Sequence, residues 1–376
     1  MHIIEKISLE TGSKINKPFI YEKYFPITYD KYICIKIKSS DQDFEYKHWE
    51  EVLDLCQKDL NEHGYGIIAV GKELSGKSIS NRILNLTGLL SFNQIAYVIK
   101  NSSLYVGPQD YECQLASFYA KKMVLLSDRK FINFRRPYWS DDKDLVSVNH
   151  LRKKNDLINA AKPEKIADAI LSHLNINKKN KFETIFIGKD FLNKTFEIIP
   201  DKDINIGDIP IDNPIVRMDY FFNENILEKI LKHKKTIIFT NQDINEKILE
   251  VYRSNIDHII YNIEKNHNPK FIEKIKNLGI KYSLTSELDE ESIRSAKIDY
   301  IDLGIINKKP KPSIDNALID RKNLKYKSSR LLISGKFQFY SKYDWENSLV
   351  SNNLVNLNDE FLKEIDNFYI FTVDSR

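Results

Sequence analysis

The sequence predicts an α/β protein made of two doubly wound units of parallel sheet, followed by a C-terminal tail with strands. Three observations predict it. Apolar, β-branched runs alternate with amphipathic stretches of helix length over 32–174, and the alternation resumes from 184 to 300. The 376 residues are too many for one ordinary domain. Between the two series, Asn175-Ile176-Asn177-Lys178-Lys179-Asn180-Lys181 breaks the pattern and reads as a linker. The expected division is an arm over 1–30, a first α/β domain over 31–178, a second over 182–300 and an extension over 301–376 that packs back on the body.

The elements follow in order. Tyr32-Ile33-Cys34-Ile35-Lys36-Ile37 is a β-branched strand. Val52, Leu53, Cys56 and Leu60 recur at helical spacing over 49–63, and Gly64 stands where a helix-ending glycine belongs. Gly66-Ile67-Ile68-Ala69-Val70 is a buried strand, and 84–86 a short one. Ser91 caps a helix running to Lys100. A strand over 103–107, a helix over 109–121 and a strand over 122–126 come next. Pro163 opens a last helix to 174. In the second series the predicted strands are 184–187, 236–240, 258–261 and 280–284, with helices between the last three. The tail offers aromatic strands over 331–340 and 368–373.

Composition excludes several classes. With 42% hydrophobic residues and only 12 Gly and 11 Pro, the chain is neither disordered nor low-complexity. The 57 basic and 53 acidic residues nearly balance, so charge predicts neither a nucleic-acid nor an anionic-membrane partner. Cys34, Cys56 and Cys113 are too few and too scattered for a disulfide framework or a zinc knuckle, which suits a reducing, cytoplasmic setting. No run has the length of a membrane span. None of the eight His has metal-ligand spacing, and no metal site is expected.

One motif stands out. Gly71-Lys72-Glu73-Leu74-Ser75-Gly76-Lys77-Ser78 fits the phosphate-binding pattern G-x-x-x-x-G-K-[ST], in which Lys77 would reach phosphate oxygens and Ser78 hold magnesium. Met123 to Asp128 reads as a loose acidic partner strand. The context is poor, because Asn85, Thr87 and Gly88 cut short the helix whose N-terminus should face the phosphates. A solvated basic loop competes with this reading.

The order of signals from Tyr32 to Asp128 points elsewhere. A strand leads to Ser39-Ser40, then Lys47-His48-Trp49 opens a helix. Leu86-Thr87-Gly88 precedes a second helix, and Leu104-Tyr105-Val106-Gly107 precedes a third. This resembles the nucleotide-sugar half of the heptosyltransferase-like glycosyltransferases, whose GT-B fold joins two Rossmann-like domains. The resemblance covers the first domain only. It implies a donor such as a nucleotide-diphosphate sugar, a glycan acceptor, transfer with inversion, and no further cofactor. It places Ser39, Ser40, Lys47, Thr87, Gly88, Gly107, Gln109 and Asp110 near the donor.

The departures are informative. The family turn Asp-Ser-Gly is Gln109-Asp110-Tyr111 here, and the family His is Gln114. Asp110 and Glu112 would repel a pyrophosphate at that helix start. Lys36 and Lys38 read as solvated lysines flanking the Ser39-Ser40 loop. Only an arm precedes the donor-like domain, where the family has its acceptor domain. No base can be assigned. Asp219 is weighed for it against an ion pair or a helix cap, which is favoured. His48 reads as a helix-start histidine and Cys113 as a buried thiol. Phe131 to Trp139, with Arg135 and Arg136, is a lid or a loop anchored by its aromatics.

Three functions follow: a sugar transferase, a non-catalytic binding or assembly protein that keeps the fold, and a P-loop NTPase using Gly71–Ser78.

Overall fold

The computed structural model describes residues 1–17, 19–37, 45–72, 83–126, 136–141, 145–148, 158–178, 181–188, 190–209, 213–265, 267–299, 305–307 and 323–372. The chain forms two units, Met1–Thr184 and Ile185–Arg376.

The first unit contains α1 (Ile3–Thr11), β1 (Lys31–Ile35), α2 (Trp49–Glu62), β2 (Tyr65–Ala69), β3 (Leu84–Asn85), α3 (Phe92–Asn101), β4 (Leu104–Pro108), α4 (Tyr111–Phe118), β5 (Lys122–Leu126), β6 (Leu145–Val148) and α5 (Pro163–His173). Its parallel sheet has the order β3-β2-β1-β4-β5-β6. That is the order of a Rossmann sheet, with its reversal between β1 and β4. The strands are buried along almost their whole length because each face is covered. Ile33, Ile35, Val106 and Val124 pack with α2 and α5, while Tyr32, Cys34, Tyr105 and Met123 pack with α3 and α4. Alternate side chains of one strand thus feed two separate cores. Local signals set the helix ends. Ser91 and Gln94 form a reciprocal capping box on α3, Pro163 starts α5, and Gly64 follows α2 at φ +77°.

The second unit contains β7 (Thr184–Phe186), β8 (Thr195–Ile198), β9 (Ile215–Arg217), α6 (Glu224–Leu231), β10 (Thr236–Thr240), α7 (Glu246–Val251), β11 (Ile256–Ile263), α8 (Pro269–Asn277), β12 (Tyr282–Ser286), α9 (Glu290–Asp299), β13 (Ile305–Asn307), β14 (Leu324–Ser328), β15 (Arg330–Ser334), β16 (Phe337–Phe339) and β17 (Phe368–Thr372). Here the strand order differs from that of the first unit. The large sheet runs β13-β12-β11-β10-β9-β8-β15-β16, and β8 to β13 are parallel neighbours in chain order. From β8 to β13 every crossover steps the same way, so right-handed crossovers leave the helices between these strands on one face. β11 shows the result, with buried and half-buried residues alternating along it. The strand predicted at 184–187 forms as β7, but not as the first strand of the large sheet. β7 belongs to a small sheet, β14-β17-β7, and the large sheet instead begins with β8. From the tail, β15 joins the large sheet parallel to β8.

A buried ion network fastens β15 there. Arg330 donates to Glu197 Oε1 and Oε2 at 2.8 and 2.7 Å and to Glu364 Oε2 at 2.8 Å. Arg217 donates to Glu197 Oε2 at 2.6 Å. The arrangement is legible in the topology, because β9, β8 and β15 are adjacent strands. Glu364 also accepts from the backbone N–H groups of Lys342 and Tyr343, at the start of the short helix Lys342–Glu346.

Glu197→Gln removes a carboxylate that two buried guanidinium groups share, at an expected cost of about 3–5 kcal/mol at neutral pH. Burial pushes the Glu197 carboxyl up, but Arg330 and Arg217 outweigh it and hold it far below the usual carboxylate range. Its folded value lies below its unfolded one, so its stabilisation is complete above about pH 4.5 and is lost as pH falls further. Denaturant titrations of both proteins should show the gap closing below that pH.

Candidate functional site

In a doubly wound sheet the ligand crevice lies outside the carboxyl ends of the two strands that flank the reversal. In the first unit those are β1 and β4. Lys36 follows β1, and its N–H donates to the Val106 carbonyl on β4 at 2.9 Å. Gln109 and Asp110 follow β4, and Asp110 is the N-cap of α4. The sequence signals therefore converge on the expected edge.

What fills that edge is a charge cluster internal to the protein. The expectation of a solvated Lys36 is corrected, since its side chain is 1% exposed. Its Nζ donates to Glu112 Oε1 at 2.7 Å and Oε2 at 2.6 Å, and lies 3.0 Å from Asp110 Oδ2. Glu112 is wholly buried. The ammonium also lies 5.0 Å from the centre of the Tyr111 ring. Burial pulls the Lys36 ammonium down, but Glu112 and then Asp110 outweigh it and hold it above the usual lysine range. Strand alternation is a sound rule for solvated lysines at a sheet edge, yet it fails here because α4 lays two carboxylates over the strand end.

The glycine between these groups has the same cause. A Cβ on Gly107 would lie 2.7 Å from the Tyr105 hydroxyl and 2.9 Å from Lys36 Cβ. Glycine is required so that Lys36 and Tyr105 can close over the strand. The Tyr105 hydroxyl is buried without a hydrogen-bond partner among the described residues. Burial, then Glu112, pushes its ionisation well above the usual range.

The remaining predicted residues lie around this edge with different roles. Lys47 is exposed just before α2, and its N–H donates to Asn159 Oδ1 at 2.7 Å. The Thr87 hydroxyl is turned onto Asn85 Oδ1 at 2.7 Å. Gly88 is exposed at φ +70°, a left-handed conformation that favours glycine, and its N–H donates to the Gly71 carbonyl at 2.8 Å. Gln109 is buried. Lys38, Ser39, Ser40, Ser127, Asp128 and the loop residues Glu73 to Ser78, Lys77 included, lie outside the described residues. After that loop the chain returns as β3, so any helix there must end before Leu84.

Other candidates resolve as structural. Asp219 accepts two bonds from Arg217, at 2.8 and 2.6 Å, and is an ion-pair partner. His48 is the buried N-cap of α2. Burial raises the thiols of Cys34 and Cys56 to about 12 and pushes Cys113 up as well, so none is a ready nucleophile. Phe131 to Arg135 lie outside the described residues, but the end of that loop is latched to α4. Tyr138 N–H donates to Gln114 Oε1 at 3.3 Å, and Trp139 N–H to Ser117 Oγ at 2.8 Å. The residue at the family His position thus holds a loop. Among the described residues no three His, Cys, Asp or Glu side chains converge as metal ligands, and no helix is long and apolar enough to cross a membrane.

Removing Lys36 alone strands two carboxylates, so Lys36→Met should cost about 3–5 kcal/mol, whereas Lys36→Met with Glu112→Leu should recover most of that. Equilibrium denaturation of the three proteins measures the coupling. Gly107→Ala should cost roughly 1–3 kcal/mol by overpacking. Tyr105→Phe should be neutral or stabilise by about 1 kcal/mol, since it deletes an unsatisfied hydroxyl.

No protein-family profile and no curated protein matches the chain. Among solved structures it is similar to a family 9 glycosyl transferase from Veillonella parvula, at 11% identity and TM-score 0.33, over 46% of this chain and 50% of that one. It is similar to the E. coli ADP-heptose lipopolysaccharide heptosyltransferase II at 14% identity and TM-score 0.32, over 40% of this chain and 48% of the other. It is also similar to the dodecameric iron-containing heptosyltransferase TibC of enterotoxigenic E. coli, at 17% identity and TM-score 0.30, over 40% and 47%. The chain spans about half the length of these structures. They are the same kind of protein that the motif order over 32–128 resembles, and the likeness is to part of a heptosyltransferase-like fold.

Proposed function

We propose that this chain is a glycosyltransferase-like protein that serves in binding or assembly and does not transfer sugar. The Lys36–Glu112–Asp110 cluster carries this reading. A nucleotide-diphosphate donor held at the start of α4 would bring its two phosphates to a helix end already neutralised by Asp110 and Glu112. Lys36, a cation that meets that helix start, is saturated by three carboxylate oxygens within 3.0 Å. A phosphate there would have to displace buried carboxylates from a buried ammonium, which opposes binding by several kcal/mol.

Exposed Lys47 and Gly88 at the same edge favour a second reading, in which a nucleotide-diphosphate sugar is bound away from α4 and its sugar passes to a glycan acceptor. Lys47 would then neutralise phosphate, and Gly88 would let the donor approach the backbone closely.

Thermal-shift titrations with ADP-, UDP-, GDP- and CMP-sugars, and with ATP and magnesium, test these readings. A ligand at a hundred times its Kd adds about 2.7 kcal/mol and would raise the midpoint by roughly 5–10 °C. No shift is expected with any of them. A sugar-nucleotide shift abolished by Lys47→Ala would overturn the proposal in favour of transfer. A shift with ATP and magnesium abolished by Lys77→Ala would assign the Gly71–Ser78 loop as a nucleotide site.

A further inference from the structure

The total charge of +4 conceals a local arrangement in the N-terminal arm. No residue of α1 is buried, and Met1, Ile7 and Leu9 are exposed. After α1 the arm runs extended along the first unit, with its side chains divided between two sides. Ile20, Phe25 and Ile27 pack against the core that α3 and α4 share. Glu22 accepts from Lys100 at 2.7 Å and from the Tyr119 hydroxyl at 2.9 Å. Lys23 N–H donates to the Asn93 carbonyl at 3.1 Å. These contacts pin the arm and leave the opposite side outward. Phe19 is 91% exposed, Tyr21 66% and Tyr24 68%. Leu89 and Phe92 are exposed at the start of α3, beside the Asn93 contact.

Two carboxylates of the arm are already paired with cations, Glu10 with Lys6 and Glu22 with Lys100. Lys14, Lys17 and Lys23 are exposed and pair with no carboxylate among the described residues, and Lys17 lies 4.8 Å from the centre of the Phe118 ring. The arm therefore carries exposed aromatic rings among three exposed lysines.

We propose that this arm docks the protein on an anionic lipid bilayer. Tyrosine and phenylalanine with interleaved lysine suit the headgroup region, where rings enter the acyl boundary and ammonium groups remain at the phosphates. A second copy of the chain fits less well, because protein interfaces deplete lysine and would have to desolvate these three. The arm lies flat, and nothing in it inserts as a span.

Vesicle co-sedimentation of the full chain tests the proposal. Binding is expected to vesicles of three parts phosphatidylcholine to one part phosphatidylglycerol, with little binding to phosphatidylcholine alone and release at high salt. Each lysine near the surface contributes about fivefold, so Lys14→Gln with Lys17→Gln and Lys23→Gln should lower the partition coefficient about a hundredfold. Phe19→Ser with Tyr21→Ser should also weaken binding while leaving the melting temperature unchanged, since both side chains are exposed. Absence of binding to the anionic vesicles, or binding that neither set of substitutions alters, overturns the proposal. So does a dimer in sedimentation velocity that Phe19→Ser dissolves, which would give the surface to a second copy.

Discussion

The ion pair between Lys36 and Glu112 is the contact around which the first unit is arranged. A buried ammonium is costly unless carboxylates meet it at close range, and here three oxygens lie within 3.0 Å. That requirement draws the first turn of α4 over the end of β1, commits Asp110 and Glu112, and leaves Gly107 as the residue that fits beneath. The pair stands at the reversal of the strand order, where a doubly wound sheet is open to ligands. The ion cluster and the reversal edge thus share one small volume.

The second unit uses buried charge differently. Glu197, Arg217, Arg330 and Glu364 tie adjacent strands and the C-terminal segment together on one face of the sheet. Its strands β8 to β13 follow one another in one direction, and the order reverses where β15 pairs with the other edge of β8. Here the ions fasten late sequence to early sequence, since Arg330 and Glu197 are separated by 133 residues.

Much of the first unit was legible from local signals. The β-branched run at 32–37, the Ser91 cap, Gly64 and Pro163 each act within a few residues, so periodicity and capping locate them. β8, β9 and β6 are three or four residues long and give no periodic signal. Thr195-Phe196-Glu197-Ile198 even carries a glutamate that becomes buried, which reads as loop until its arginines are known. The alternation in β11 did carry the one-sided burial, but only pairing with β10 and β12 turns it into a strand order. Among site residues, the sequence located the helix start at Asp110 and its repulsive charge. It assigned Lys36 to solvent because alternation along a strand cannot report what another helix places above it.

By itself the sequence determined the class of the protein, the alternation of its elements and the acidic start of α4. These depend on spacing and on neighbours close in the chain. The tertiary structure alone decided the strand orders, the burial of Lys36 against a carboxylate 76 residues away, and the outward side of the N-terminal arm. The reason is physical: desolvation depends on everything that surrounds a group. The same lysine is a soluble tether on an open strand and a structural cation beneath a helix.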